Sequence, residues 1–143
     1  AELLVKTLDD IENGRSKRTP QNDAEASYYP PLSRELGCID WTKTAREIRN
    51  LIRALNPAPG AYAYICGNMI KIWSAELTEG NGEPGAFDCA DTKRGLVVGT
   101  GEGLLRITEM QAPNSKRMKP EAYLCGCSMP GKRFDLASSG TQE

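Results

Sequence analysis

The chain has 143 residues, 39% of them hydrophobic and 6% aromatic, with a formal net charge of −1. That length fits one domain with an appendage, and no apolar run approaches the roughly 18 residues a membrane span requires. Histidine is absent, so no serine, cysteine or metal triad that depends on imidazole can form within the chain. Carboxylates remain, but no spacing marks out a catalytic pair.

Residues 1–13 repeat apolar side chains at Leu4, Leu8 and Ile11, one face of a helix that Asn13-Gly14 closes. No N-cap residue precedes this helix. It therefore reads as the remnant of a preceding domain, although a trimmed terminus would look the same. Residues 14–36 are polar, contain Pro20, Pro30 and Pro31, and show no period. An extended linker is expected there, with Tyr28 and Tyr29 anchoring it to a surface; a disordered tail is the alternative.

The next helix carries stronger signals. Thr44 and Glu47 have capping-box spacing, and Ala45, Ile48, Leu51, Ile52 and Leu55 form one apolar stripe. Arg46, Arg49 and Arg53 fall together on the flank of that stripe. Asn56-Pro57 ends the helix, because a residue before proline avoids helical backbone angles, and the turn Pro57-Ala58-Pro59-Gly60 follows.

Short strands are expected at 61–66, 69–76, 85–90, 95–100 and 104–110, the first two joined through Gly67-Asn68. Five short strands with so little helix suit a mainly β fold, an OB-like barrel over residues 37–134 preceded by a helix. Pro120 opens one more short helix that Gly126 stops. Residues 135–143 read as a disordered tail. The glycines from Gly99 to Gly103 precede a strand-like run, whereas a dinucleotide loop needs a helix there, so they read as hairpin glycines.

The five cysteines, Cys38, Cys66, Cys89, Cys125 and Cys127, are odd in number, irregular in spacing and without a CxxC pair. Scattered thiolates are unusual for structural zinc, and no metal site is expected. Cys125 and Cys127 leave a redox or metal role open, with reduced thiols in a cytoplasmic protein the plainer reading.

Charge is segregated. Residues 41–75 carry five bases against one acid, a balance of +4, and residues 113–134 repeat that balance. Between them, residues 76–112 hold seven acids and three bases, a balance of −4. Two basic islands brought to one side of a barrel would suit a phosphate backbone, whereas arginine stripes on helices are commonly solvated faces.

Several stretches resemble the C-terminal region of methionyl-tRNA formyltransferases. They are Tyr29-Pro-Pro-Leu-Ser33, Ile39-Asp40-Trp41, Ile52-Arg-Ala-Leu-Asn-Pro57, Pro59-Gly60-Ala61, Lys71-Ile72-Trp73, Gly101-Glu-Gly-Leu-Leu105 and Lys116-Arg117-Met118. The family commonly has tryptophan between the two prolines where this chain has Ala58. The resemblance implies a two-domain parent enzyme. Its Rossmann-like N-terminal domain transfers a formyl group from 10-formyltetrahydrofolate to methionyl-tRNA, and its barrel helps bind the initiator tRNA. On that reading this chain has no catalytic residues and no cofactor of its own. Its partners are initiator methionyl-tRNA and the N-terminal catalytic domain, with no membrane, and its location is cytoplasmic.

Arg46, Arg49, Arg53, Lys71, Lys116, Arg117 and Lys119 are then the expected tRNA contacts, made to phosphates. The alternative is a structural accessory barrel of a related folate or nucleotide-sugar formyltransferase, with no RNA partner. Islands on opposite faces would favour that alternative. An independent single-strand-binding barrel is disfavoured because Tyr62, Tyr64 and Trp73 read equally well as core.

Overall fold

A computed structural model describes residues 2–18, 20–28, 31–126, 128–129 and 131–136. The chain divides into two units, Ala1–Pro31 and Leu32–Glu143. In the first, helix α1 spans Glu2–Glu12 and buries none of its residues. Its end is closed as expected: Gly14 takes a positive φ of 65°, and the Asp10 carbonyl accepts from Arg15 N and Ser16 N. Tyr28, on the polar stretch that follows, is 86% exposed. Tyr29 and Pro30 lie outside the described residues, as do Cys127 and residues 137–143 of the expected tail.

The second unit is mainly β. Ile39, Asp40 and Trp41 enter it by a local mechanism. Ile39 N donates to the Tyr62 carbonyl at 2.8 Å. Asp40 accepts from Thr42 Oγ1 (2.6 Å) and Thr42 N (3.0 Å), which holds its carboxyl below the usual range. Trp41 is thereby turned into the core.

Helix α2 (Ala45–Ala54) begins with the capping box anticipated from Thr44 and Glu47. Thr44 N donates to Glu47 Oε2 at 3.0 Å and Glu47 N to Thr44 Oγ1 at 3.3 Å, and bonds from the Thr44 hydroxyl and N–H lower the Glu47 pKa. Ala45, Ile48, Ile52 and Leu55 are buried, which sets the arginines on the exposed flank.

Five strands follow: β1 (Ala61–Ile65), β2 (Asn68–Thr78), β3 (Phe87–Asp91), β4 (Gly95–Gly99) and β5 (Leu104–Gln111). They form one antiparallel sheet ordered β1-β2-β5-β4-β3. Helix α3 spans Pro120–Gly126. The β1–β2 hairpin turns one residue earlier than its Gly-Asn pattern suggests. Ile65 pairs with Asn68, and Cys66 and Gly67 take the two positive φ angles (48° and 76°) that a tight hairpin of this kind needs.

The sheet is not a closed barrel, since β1 does not pair with β3. Instead, the segment after α3 runs between the two edges. Phe87 N donates to the Lys132 carbonyl (2.9 Å), Phe134 N to the Gly85 carbonyl (2.8 Å) and Asp135 N to the Tyr64 carbonyl (2.7 Å). Phe134 is fully buried there, stacked on Trp41 at 4.9 Å and edge-on to Phe87 at 5.1 Å. Trp41 Nε1 is the buried side-chain polar atom without a partner among the described residues.

The glycines between β4 and β5 serve packing. A Cβ on Gly101 would overlap the Thr42 carbonyl, and Gly101 N donates to the Trp41 and Lys43 carbonyls, both at 2.9 Å. They seat the start of α2 against the sheet and hold no phosphate-type loop.

Gly60 is similarly constrained. Its φ is +86°, and a Cβ would lie 3.1 and 3.2 Å from the Trp73 ring. Gly60→Ala is therefore expected to cost about 1–2 kcal/mol from left-handed strain alone, read as a lower urea midpoint. An unchanged midpoint would show that the turn has room to relax.

Candidate nucleic-acid interface

The exposed flank of α2 and the outer face of β2 build the site. Along β2, Ile70 and Ile72 point into the core while Lys71 and Trp73 share the opposite face. A bulge on β2, marked by register shifts between Ile72 and Ala75, follows. Arg49 and Arg53 line a groove of about 440 Å³ with Trp73, Ser74 and Glu109. Arg46, farther back on the helix, lines a second groove with Leu77, Thr78 and Glu102.

Trp73 is only 6% exposed, yet it organises the charged surface around it. Lys71 Nζ lies 5.6 Å from its ring centroid and the Arg117 guanidinium carbon 3.5 Å from it. The first basic island and the second thus meet over one indole. Such a contact contributes about 0.5–1 kcal/mol at an exposed position. Trp73 Nε1 donates to Gln111 Oε1 (3.2 Å), and Gln111 Nε2 donates to the Ser115 carbonyl (2.9 Å). Met110 and Met118 exchange two backbone bonds of 2.9 Å. The segment carrying Lys116, Arg117 and Lys119 is thereby tied to the end of β5 beside Trp73.

All seven expected contacts lie on this unit, and all but half-buried Lys71 are exposed. Arg53 Nη2 donates to Asn50 Oδ1 at 3.5 Å. Among the described residues the ion pairs are Arg15–Asp10 and Arg94–Asp91, so none of the seven is neutralised by a carboxylate. Other bases of the islands lie elsewhere. Lys43 shares a groove with Glu35, Asp40 and Glu47, and Arg133 Nη2 donates to the Pro84 carbonyl at 3.0 Å. Sequence reasoning left Trp73 open between stacking surface and core, gave it no role among the cations, and missed Gln111. The one available signal for either was the strand alternation that puts Lys71 and Trp73 on one face.

Cys89 Sγ lies 3.2 Å from Asp91 Oδ2, and burial pushes its thiol pKa up. Cys125 is exposed on α3. No helix among the described residues is long and apolar enough to cross a membrane.

The fold and this surface define a small antiparallel-sheet domain with a basic, tryptophan-centred face. Residues 31–128 match the family described as formyl transferase, C-terminal domain, and the chain belongs to that family. It is 44% identical over 136 residues to methionyl-tRNA formyltransferase of Agathobacter rectalis, a match covering 94% of this chain and 44% of that protein. It is likewise 44% identical over 127 residues to methionyl-tRNA formyltransferase of Carboxydothermus hydrogenoformans, covering 88% of this chain and 41% of that protein. The chain thus spans less than half the length of these relatives. Among solved structures it resembles HypX from Aquifex aeolicus in complex with tetrahydrofolic acid, with 26% identity and a TM-score of 0.59, covering 87% of this chain and 22% of that one.

Proposed function

We propose that this domain is the RNA-binding C-terminal part of a methionyl-tRNA formyltransferase and works in the cytoplasm. It holds initiator methionyl-tRNA by its phosphates while the N-terminal half of such an enzyme transfers a formyl group from 10-formyltetrahydrofolate. Residues 14–36 are the linker to that half, α1 is the last helix before the linker, and residues 37–134 form the binding module. The observation that carries this reading is the meeting of Lys71 and Arg117 over Trp73. It supports one continuous cationic surface in a chain whose net charge is −1. Arg46, Arg49, Arg53, Lys71, Lys116, Arg117 and Lys119 contact phosphates, and the domain itself contributes no reacting group and binds no cofactor.

The test is binding of this chain to initiator methionyl-tRNA across a salt series. Each phosphate contact to duplex is expected to add about −0.9 to the slope of log affinity against log salt. A slope near zero overturns the proposal. A flat salt series would select the second reading, a structural accessory domain with no RNA partner.

A further inference from the structure

A second surface adjoins the cationic one on the outer side of the β1–β2 hairpin. In the register, Tyr62 faces Lys71 and Tyr64 faces Met69. Ala61, Ala63 and Ile65 point into the core, so both tyrosines point out. The sequence left these rings open between core and surface, and strand alternation puts both on the outer face, Tyr62 half-buried and Tyr64 exposed. Tyr64 is 41% and Met69 40% exposed, and Tyr62 stands edge-on to Tyr64 at 5.7 Å. Tyr62 is held in place by Gly37, where a Cβ would lie 3.2 Å from its ring. Together with the Ala58-Pro59-Gly60 wall, Arg34 and Lys71, they line a cavity of about 490 Å³ with no acidic residue in its lining.

We propose that this cavity takes an unstacked nucleobase from a single-stranded stretch of the same RNA whose phosphates lie on the adjoining cations. This rests on the phosphate-binding role given above. The exposed Tyr64 ring and the Met69 thioether suit the uncharged face of a base, and Arg34 and Lys71 in the lining suit its flanking phosphates. Lys71 serves both surfaces, since it lines the cavity and reaches over Trp73. Paired, stacked bases in a duplex present no free face, so the cavity selects single strands and leaves duplex to the cations.

The test compares a blunt RNA hairpin with the same hairpin carrying a short single-stranded 3′ tail. The tail is expected to raise affinity about tenfold, the effect of one base stacked on an aromatic ring. Tyr64→Ala should abolish that gain, Tyr64→Phe should retain it, and Arg49→Glu with Arg53→Glu should weaken both RNAs alike. Equal affinity for the two RNAs, or a tail gain that survives Tyr64→Ala, overturns the base site while the phosphate role stands. Failure of both RNAs to bind in a salt-dependent way overturns both. Self-association that Tyr64→Ala abolishes would assign the cavity to protein and also overturn the base site.

Discussion

Replacing Arg49 and Arg53 together by glutamate is expected to flatten the salt dependence of tRNA binding by about two units of slope, one for each lost phosphate contact. The two arginines line the groove beside Trp73, and the reversal also places two carboxylates where phosphates would lie. Affinity should therefore fall most at low salt, where repulsion is least screened. Both side chains are exposed on α2, so the fold should survive. Glutamate at 53 sits in the last helical turn, where the helix dipole disfavours it by about 0.3–1 kcal/mol. A parallel glutamine variant separates that effect from charge reversal. Lys43→Glu is the control, because Lys43 lies in a groove with Glu35, Asp40 and Glu47. If Lys43→Glu weakens tRNA binding as much as the double reversal, attraction is diffuse and the Trp73-centred face has no special role.

Phe134→Ala is expected to cost about 3–5 kcal/mol, the range for truncating a large aromatic in a packed core. Phe134 is fully buried and contacts both Trp41 and Phe87. Its backbone belongs to the segment bonded to both open edges of the sheet. Against a total stability of about 5–15 kcal/mol, that loss is a large share of the margin. Urea unfolding provides the measurement. Leu136→Ala, at a side chain 46% exposed, should shift stability by no more than about 0.5 kcal/mol. An unchanged midpoint for Phe134→Ala would mean that the sheet is stable without this segment.

Much of the local structure was legible. Thr44 and Glu47 are three residues apart, and capping geometry depends on nothing farther away, so α2 begins where expected. Pro120 and Gly126 bound α3 for the same reason. The hairpin turn was misplaced by one residue because Gly67-Asn68 resembles a turn pair. Strand pairing put the left-handed positions at Cys66 and Gly67, and a cysteine carries no signal for a positive φ.

The sequence by itself determined the elements, the apolar stripe of α2, the family likeness and the segregation of charge into two basic islands. These depend on residue type and on spacings of a few positions. Only the tertiary structure decided how they combine. Lys71 and Arg117 are far apart in the chain, and pairing of β2 with β5 brings them over one indole. Phe134 likewise lies in a stretch without strand periodicity and became central because two sheet edges were left open. Such contacts arise from which edges and faces remain uncovered once the local elements form, and no short-range spacing encodes that.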